Sequence, residues 1–288
     1  MIQLLGSLRA HAPLLRDFVR RDLKARYVGS SMGFFWSLVF PVISLCVYMF
    51  VFRTILRVRW EPTPEMVAQG FHEQSPAMTA LTMLAGISIW TAFAETLSRS
   101  TNCLIENSNL IQKVVFPSEI LPPYLCASAL VNMCIGLAIV LLGSVILDAD
   151  PAVGWAFGFR PSQLTPALVL LPLLMLLQSL FTIGLGYLLA TLNLYLRDTF
   201  HVIGVATMVW MFATPIFYPD FIVQQKGYGW ILDINPMYWL IEAYRDIVVE
   251  AHWPDWFPLA RYFAVATLTF WVGSTFFWSQ RRRVPDLL

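Results

Sequence analysis

The sequence predicts an all-α integral membrane protein with six transmembrane helices, on three observations. Of 288 residues, 58% are hydrophobic and 13% charged, against about 25% charged in soluble globular domains. Six segments are long and apolar enough to cross a hydrocarbon core of about 30 Å, which takes about 20 helical residues. The charges are clustered: seven fall within Arg16 to Arg26, and the next is Arg53.

Residues 1–32 form a polar N-terminal part ahead of the first span. At helical spacing Leu14, Leu15, Phe18, Val19 and Ala25 share one arc, while Arg16, Asp17, Arg20, Arg21 and Lys24 share the other. That division predicts a helix lying flat in the membrane interface. Asp22 and Arg26 interrupt the apolar arc but stand four residues apart, a spacing at which they can pair. In "GSSMG" (Gly29 to Gly33) the glycines let the chain turn from the surface into the bilayer, although the small-xxx-small spacing also suits helix packing. The "MIQLLGSL" opening does not read as a cleavable signal peptide.

The six predicted spans are about 33–52, 77–97, 119–147, 166–192, 200–219 and 259–279, within a membrane domain of 33–280 followed by a tail at 281–288. Glu95 and Glu119 lie near span ends, where a carboxylate is expected to reach water and avoid the cost of about 2.5–3.5 kcal/mol at mid-membrane. Lys and Arg resist translocation, so their distribution orients the chain. With both termini inside, twelve basic residues are cytoplasmic: Arg9, Arg16, Arg20, Arg21, Lys24, Arg26, Arg99, Lys113, Arg197 and Arg281 to Arg283. Six are outside (Arg53, Arg57, Arg59, Arg160, Lys226, Arg245), with Arg261 at a boundary. Between the fifth and sixth spans, "MYWLIEAYRDIVV" (Met237 to Val249) is too short to cross and carries Glu242, Arg245 and Asp246. It reads as a re-entrant or interfacial helix whose polar groups need partners, starting at Asn235 and Pro236.

Motifs for chemistry are sparse. The four cysteines fit no disulfide or zinc framework. Asp148 and Asp150 form a D-x-D next to Pro151, which a turn explains. His201 is a lone histidine at a span start, and His72 lacks the second histidine of a metalloprotease motif. No phosphate loop is present. No catalytic residue and no metal ligand is therefore assigned, no cofactor is expected on this chain, and a net charge of +1 gives no attraction to nucleic acid.

Four stretches together resemble the permease subunit of type-2 ABC exporters of polysaccharides, the group that moves O-antigen, teichoic acid and capsule chains. They are "RDLKARYVGSSMGFFWSLVFPVISLCVYMFVF" (Arg21 to Phe52), "NSNLIQKVVFPSEILP" (Asn107 to Pro122), "YLRDTFHVIGVATMVWMFATPIFYP" (Tyr195 to Pro219) and "NPMYWLIEAYRDIV" (Asn235 to Val248). The resemblance implies a homodimer in the inner membrane, served by two copies of a nucleotide-binding ATPase subunit that carries ATP and Mg. It implies a docking segment over Arg99 to Val115, with Arg99, Glu106, Asn109, Gln112 and Lys113 as contacts, and a second contact at Arg197 and Asp198. Arg16, Arg20, Arg21 and Lys24 are then expected to receive the pyrophosphate of a lipid-linked polysaccharide, with attraction to anionic membrane lipids as the competing role.

Six close-packed helices of about 10 Å diameter leave no sugar-wide hole, so a polymer path is expected between two chains, lined by aromatic faces. Phe35, Trp36, Phe40, Tyr48, Trp90, Phe93, Trp210, Phe212 and Tyr218 are the candidates, with packing in the core or against lipid as the alternative. A drug or small-lipid exporter of the same type, an integral-membrane glycosyl- or acyltransferase and a structural scaffold remain the rival readings.

Overall fold

The computed structural model describes residues 2–26, 28, 35–51, 76–113, 116–147 and 161–288. The turn at Gly29 to Gly33, the loop holding Arg53, Arg57, Arg59 and His72, and the Asp148–Asp150 pair with Arg160 lie outside the described residues.

All regular elements among the described residues are helices. Helix α1 (Ile2–Ala10) is separated by one residue from α2 (Ala12–Ala25), whose Pro13 sits in the first turn, where no intrahelical N–H is needed. Next come α3 (Trp36–Met49), α4 (Pro76–Glu106), the short α5 (Ser108–Lys113) and α6 (Leu121–Ile146). After α7 (Leu171–Tyr195) and α8 (Thr199–Ala213), two short helices, α9 (Asp220–Gln225) and α10 (Gly229–Asp233), lead into α11 (Pro236–Val248). Helices α12 (Trp256–Gln280) and α13 (Val284–Leu287) complete the chain.

Three described helices are both long and apolar enough to cross a bilayer: Ala77–Glu106, Ser118–Ile146 and Pro166–Tyr195, each including a short 3-10 lead-in where one is present. Helix α12 is somewhat shorter, with 25 residues. Helix α8 is shorter than its apolar run: it stops at Ala213, because Thr214 turns extended and Pro215 cannot donate to a further turn, whereas the sequence run continued to 219. Its 15 residues span about 22 Å.

The main core is buried between α4, α6, α7, α11 and α12, with Phe93, Phe181, Tyr244 and Tyr262 at its centre. Helices α7 and α12 approach to backbone contact. A Cβ built on Gly273 would fall 1.9 Å from the carbonyl oxygen of Gly184, so only glycine fits at this crossing. A second core closes one end of the bundle and joins Leu4 and Phe18 of the N-terminal helices to Tyr187, Phe277 and Val284.

Glu119 shows why both ends of the chain meet there. Its side chain is 3% exposed, accepts a hydrogen bond from Ser7 Oγ at 2.5 Å, and stands 3.6 Å from Arg281 Nη1. Its backbone carbonyl accepts the hydroxyl of Tyr187 at 2.6 Å. The expectation that this carboxylate reaches water is corrected: α1 and the C-terminal segment cover it and supply its partners. All four cysteines are free, and Cys103 and Cys126 are buried.

Candidate functional site

At the end of the bundle that gathers both termini, α2 packs as the amphipathic pattern requires. Phe18 is buried against Phe116 and Tyr124, with ring centroids 5.6 and 5.2 Å away. Arg16, Arg20, Arg21 and Lys24 are all exposed on the other side, and the Arg21 guanidinium lies 4.4 Å over the Phe18 ring.

The charges that interrupt the apolar arc dock this helix on α4. Asp22 pairs with Arg26 at 3.2 Å, as the four-residue spacing predicts, and both also reach α4. Arg99 Nη1 lies 3.1 Å from an oxygen of Asp22 and 3.1 Å from one of Glu95. Arg99 Nη2 makes a second bond to Asp22, and Arg26 Nη2 bonds Glu95. Two guanidiniums and two carboxylates thus alternate in one ring of hydrogen bonds. Burial by itself would raise the Asp22 pKa, but the bonds and charge of Arg99, with the charge of Arg26, outweigh it and hold the carboxyl below its usual range.

The docking residues expected at 99–115 therefore separate into two groups. Arg99 is turned inward to α2. Glu106, Asn109, Gln112 and Lys113 are exposed around the elbow between α4 and α5, where Asn102 bonds Glu106 at 2.8 Å and Asn107 caps Cys103 O at 2.8 Å. Val114 and Val115 lie outside the described residues. Arg197 and Asp198 are exposed at the turn between α7 and α8.

The aromatic candidates separate as well. Trp90 and Phe93 are buried inside the single chain, packed edge-on against Trp210 at 6.0 and 5.4 Å, with Phe93 stacked on Phe181 at 5.8 Å. As path-lining residues they are corrected to core, because neighbouring helices occupy their faces. Trp210 is held in the same cluster and donates to Asn235 Oδ1 at 2.9 Å. Phe35, Phe40 and Phe212 are exposed, and Trp36 stacks obliquely on Phe40 at 5.2 Å. Tyr218 is half-buried and donates to Phe212 O at 2.6 Å. The side chain of Tyr48 lies outside the described residues.

At the opposite end, α11 inserts into the bundle with its polar groups satisfied. Asn235 caps it by accepting from the backbone N–H groups of Met237 and Tyr238 at 3.1 and 3.3 Å, and its amide donates to Thr214 Oγ1 at 2.8 Å. Arg245, counted with the outer-loop charges, is only 5% exposed. It donates to the carbonyls of Thr82, Pro215 and Ile216 at 3.3, 2.9 and 3.1 Å and to Glu242 at 2.6 Å. Those carbonyls come from a helix and from the break after α8, neither visible in local sequence, so no periodicity could have found this arrangement.

Beyond α11, Asp246, Glu250 and His252 bring ligand-type atoms within 4.8 Å of one another. His252 Nε2 lies 2.9 Å from Glu250 and 3.7 Å from Asp246, so contact of the ring with two acidic side chains accounts for the trio. Burial pushes the Asp246 carboxyl up to about 7 against the pull of His252, and Glu242 and Glu250 add to the rise.

Comparison with known proteins fits this arrangement of a membrane bundle with an interfacial helix and an inserted α11. The chain is 30% identical over 287 residues to an O-antigen export system permease protein RfbA of Myxococcus xanthus, covering 99% of each. A protein of the same name from Klebsiella pneumoniae is 26% identical over 275 residues, covering 96% of this chain and 95% of the relative. A second one from Klebsiella pneumoniae is 26% identical over 237 residues, covering 82% and 80%. The pattern that defines ABC-2 type transporters matches residues 14–249, from the interfacial helix through α11, and the chain belongs to that family.

Proposed function

We propose that this chain is the permease subunit that carries a lipid-linked O-antigen polysaccharide across the cytoplasmic membrane, driven by a separate ATPase. The observation that carries this reading is the end-to-end likeness to a protein named as an O-antigen export permease, over 99% of both chains. A likeness that spans the interfacial helix, the elbow and α11 together includes the surfaces on which such transport depends.

In this reading the chain crosses the membrane six times and both termini face the cytoplasm. That fits the meeting of Ser7 and Arg281 at Glu119, because an even number of crossings returns the chain to its starting side. The exposed basic face of α2 then receives the pyrophosphate of the incoming lipid, by charge-assisted bonds from Arg20 and Arg21. The elbow bearing Glu106, Asn109, Gln112 and Lys113 meets the ATPase, with Arg197 and Asp198 beside it. ATP and Mg stay on that partner, two copies of which serve a homodimer. Closure of the ATPases moves the elbow, and the long rigid α4 conveys the movement to α2 through Arg99. The polymer passes between two copies of the chain, along exposed aromatic faces such as Phe35, Phe40 and Phe212.

Deletion of the gene tests the proposal. Surface O-antigen should vanish while its lipid-linked form accumulates on the cytoplasmic side, and the chain should co-purify with an ATPase. Normal surface polysaccharide in the deletion strain would overturn it.

A further inference from the structure

A half-open cavity of about 370 Å³ lies between α3, α4 and α6, within the range of about 300–1,000 Å³ typical of small-molecule sites. Along α4 it runs from Leu84 to Glu95, about 16 Å at 1.5 Å per residue. Arg26 and Glu95 line one end of it, beside the interfacial helix, and Leu84 lines the other along α4. Its wall is mixed. Ser44, Ser88, Thr91 and Asn132 face apolar surface from Phe40 and Pro41. Polar groups inside a membrane bundle are costly and mark functional positions. Asn132 also lines the cavity; its Oδ1 is covered and has no hydrogen-bond partner among the described residues.

The charges at the Arg26–Glu95 end decide which ligand fits. Arg26 bonds Asp22 and Glu95, and Arg99 bonds the same two carboxylates, so two positive and two negative charges cancel. A phosphate entering here would meet no uncompensated cation and would pass two carboxylates. A neutral ring rich in hydroxyls suffers no such penalty. Its hydroxyls meet Ser, Thr and Asn groups, while its C–H faces meet Phe40 and Pro41. Arg20, exposed and without an ion pair among the described residues, lies six residues before Arg26, about 9 Å along the helix.

We propose that this cavity is a saccharide subsite, which takes one neutral sugar ring next to the diphosphate of the lipid-linked substrate. It rests on the export reading above and divides recognition in two: the diphosphate stays on the open basic face of α2, and the adjoining sugar enters the cavity to bond Asn132.

The test uses the full permease–ATPase complex in lipid nanodiscs, with Thr91→Cys as reporter and the exposed Cys46 and Cys134 replaced by alanine. The probes are farnesyl diphosphate N-acetylglucosamine and farnesyl diphosphate alone. At about four times the dissociation constant a one-site ligand leaves about a fifth of the sites empty. Alkylation of Cys at 91 by N-ethylmaleimide should therefore slow about fivefold with the sugar-bearing probe and be unchanged by the sugar-free one. Equal protection by both would show that the diphosphate or the prenyl chain occupies the cavity, and protection by neither would show it empty of substrate; either overturns the subsite.

In cells, Asn132→Leu should lower surface polysaccharide about tenfold, the loss expected when one ligand hydrogen bond is replaced by an apolar wall, with permease abundance unchanged. Wild-type export by this variant overturns the subsite. The two readings fail separately: surface polysaccharide surviving gene deletion sinks the export reading, whereas its loss on deletion with no sugar-dependent protection sinks only the subsite.

Discussion

Arg99 of α4 grips Asp22 of the interfacial helix with both terminal nitrogens, one of them at 3.1 Å. Planar guanidinium and carboxylate groups meeting in this way fix angle as well as distance. The contact holds the basic helix α2 against α4.

Arg99→Ala should therefore loosen α2 without unfolding the bundle, at a cost of about 1.5–3 kcal/mol, the range for hydrogen bonds to charged groups. Faster proteolysis near Arg20 and Arg21 in the purified complex would report it. The exchange Asp22→Arg with Arg99→Asp should restore protection, and failure to do so would mean that the pair is not a direct one.

Charge reversal of Arg20 and Arg21 to glutamate should cut export at least tenfold while membrane insertion and ATPase binding persist. Both residues are exposed and lie outside the Asp22–Arg99 ring; Arg21 also covers the Phe18 ring, so Arg20→Glu alone should show the loss of ligand attraction without a loss of packing. Quantitative blotting of surface polysaccharide against permease abundance measures it.

Gly273→Ala should destabilise the α7–α12 crossing, because the new methyl would stand 1.9 Å from Gly184 O. Overpacking of this kind costs about 1–3 kcal/mol. The melting temperature of the detergent-solubilised protein should fall, whereas Gly204→Ala, with nothing near its Cβ position, should leave it unchanged.

Arg245→Leu removes the donor shared by three carbonyls and strands Glu242 beside them. Leaving a buried acceptor unsatisfied costs about 1–3 kcal/mol. Helix α11 should lose protection in hydrogen exchange while α4 and α7 retain theirs.

The segment after α11 should tighten in acid. The folded Asp246 carboxyl titrates at about 7 against an ordinary 3.8, so the folded form holds the extra proton. This contribution is fully present below pH 3.8 and is lost as pH rises through 7. His252 is also raised above its ordinary 6.5; although burial opposes the charged form, bonds to Trp253 O and Glu250 and the charges of Asp246 and Glu250 favour it. Its contribution is likewise lost as pH rises. Protection of residues 246–253 should therefore fall between pH 4 and pH 8, and Asp246→Asn should flatten the lower part of that change.

Local composition made the helical membrane class legible, because hydrophobic length along a helix must match the bilayer whatever the neighbours are. The polar and apolar arcs of α2, the Asp22–Arg26 spacing and the Asn235–Pro236 start of α11 were readable for the same reason: each depends on residues within two helical turns. The roles of Trp90, Phe93, Arg99 and Glu119 were not. A side chain near a span end can face water, lipid or a neighbouring helix, and the partner lies many residues away: Asp22 for Arg99, Ser7 and Arg281 for Glu119. The sequence by itself determined the membrane class, the interfacial helix and the short helix between the last two apolar runs. Only the tertiary structure decided which charges neutralise one another and which stay open to a ligand. It alone revealed the polar cavity behind Arg26, because pairing and enclosure are properties of distance in space and not of separation along the chain.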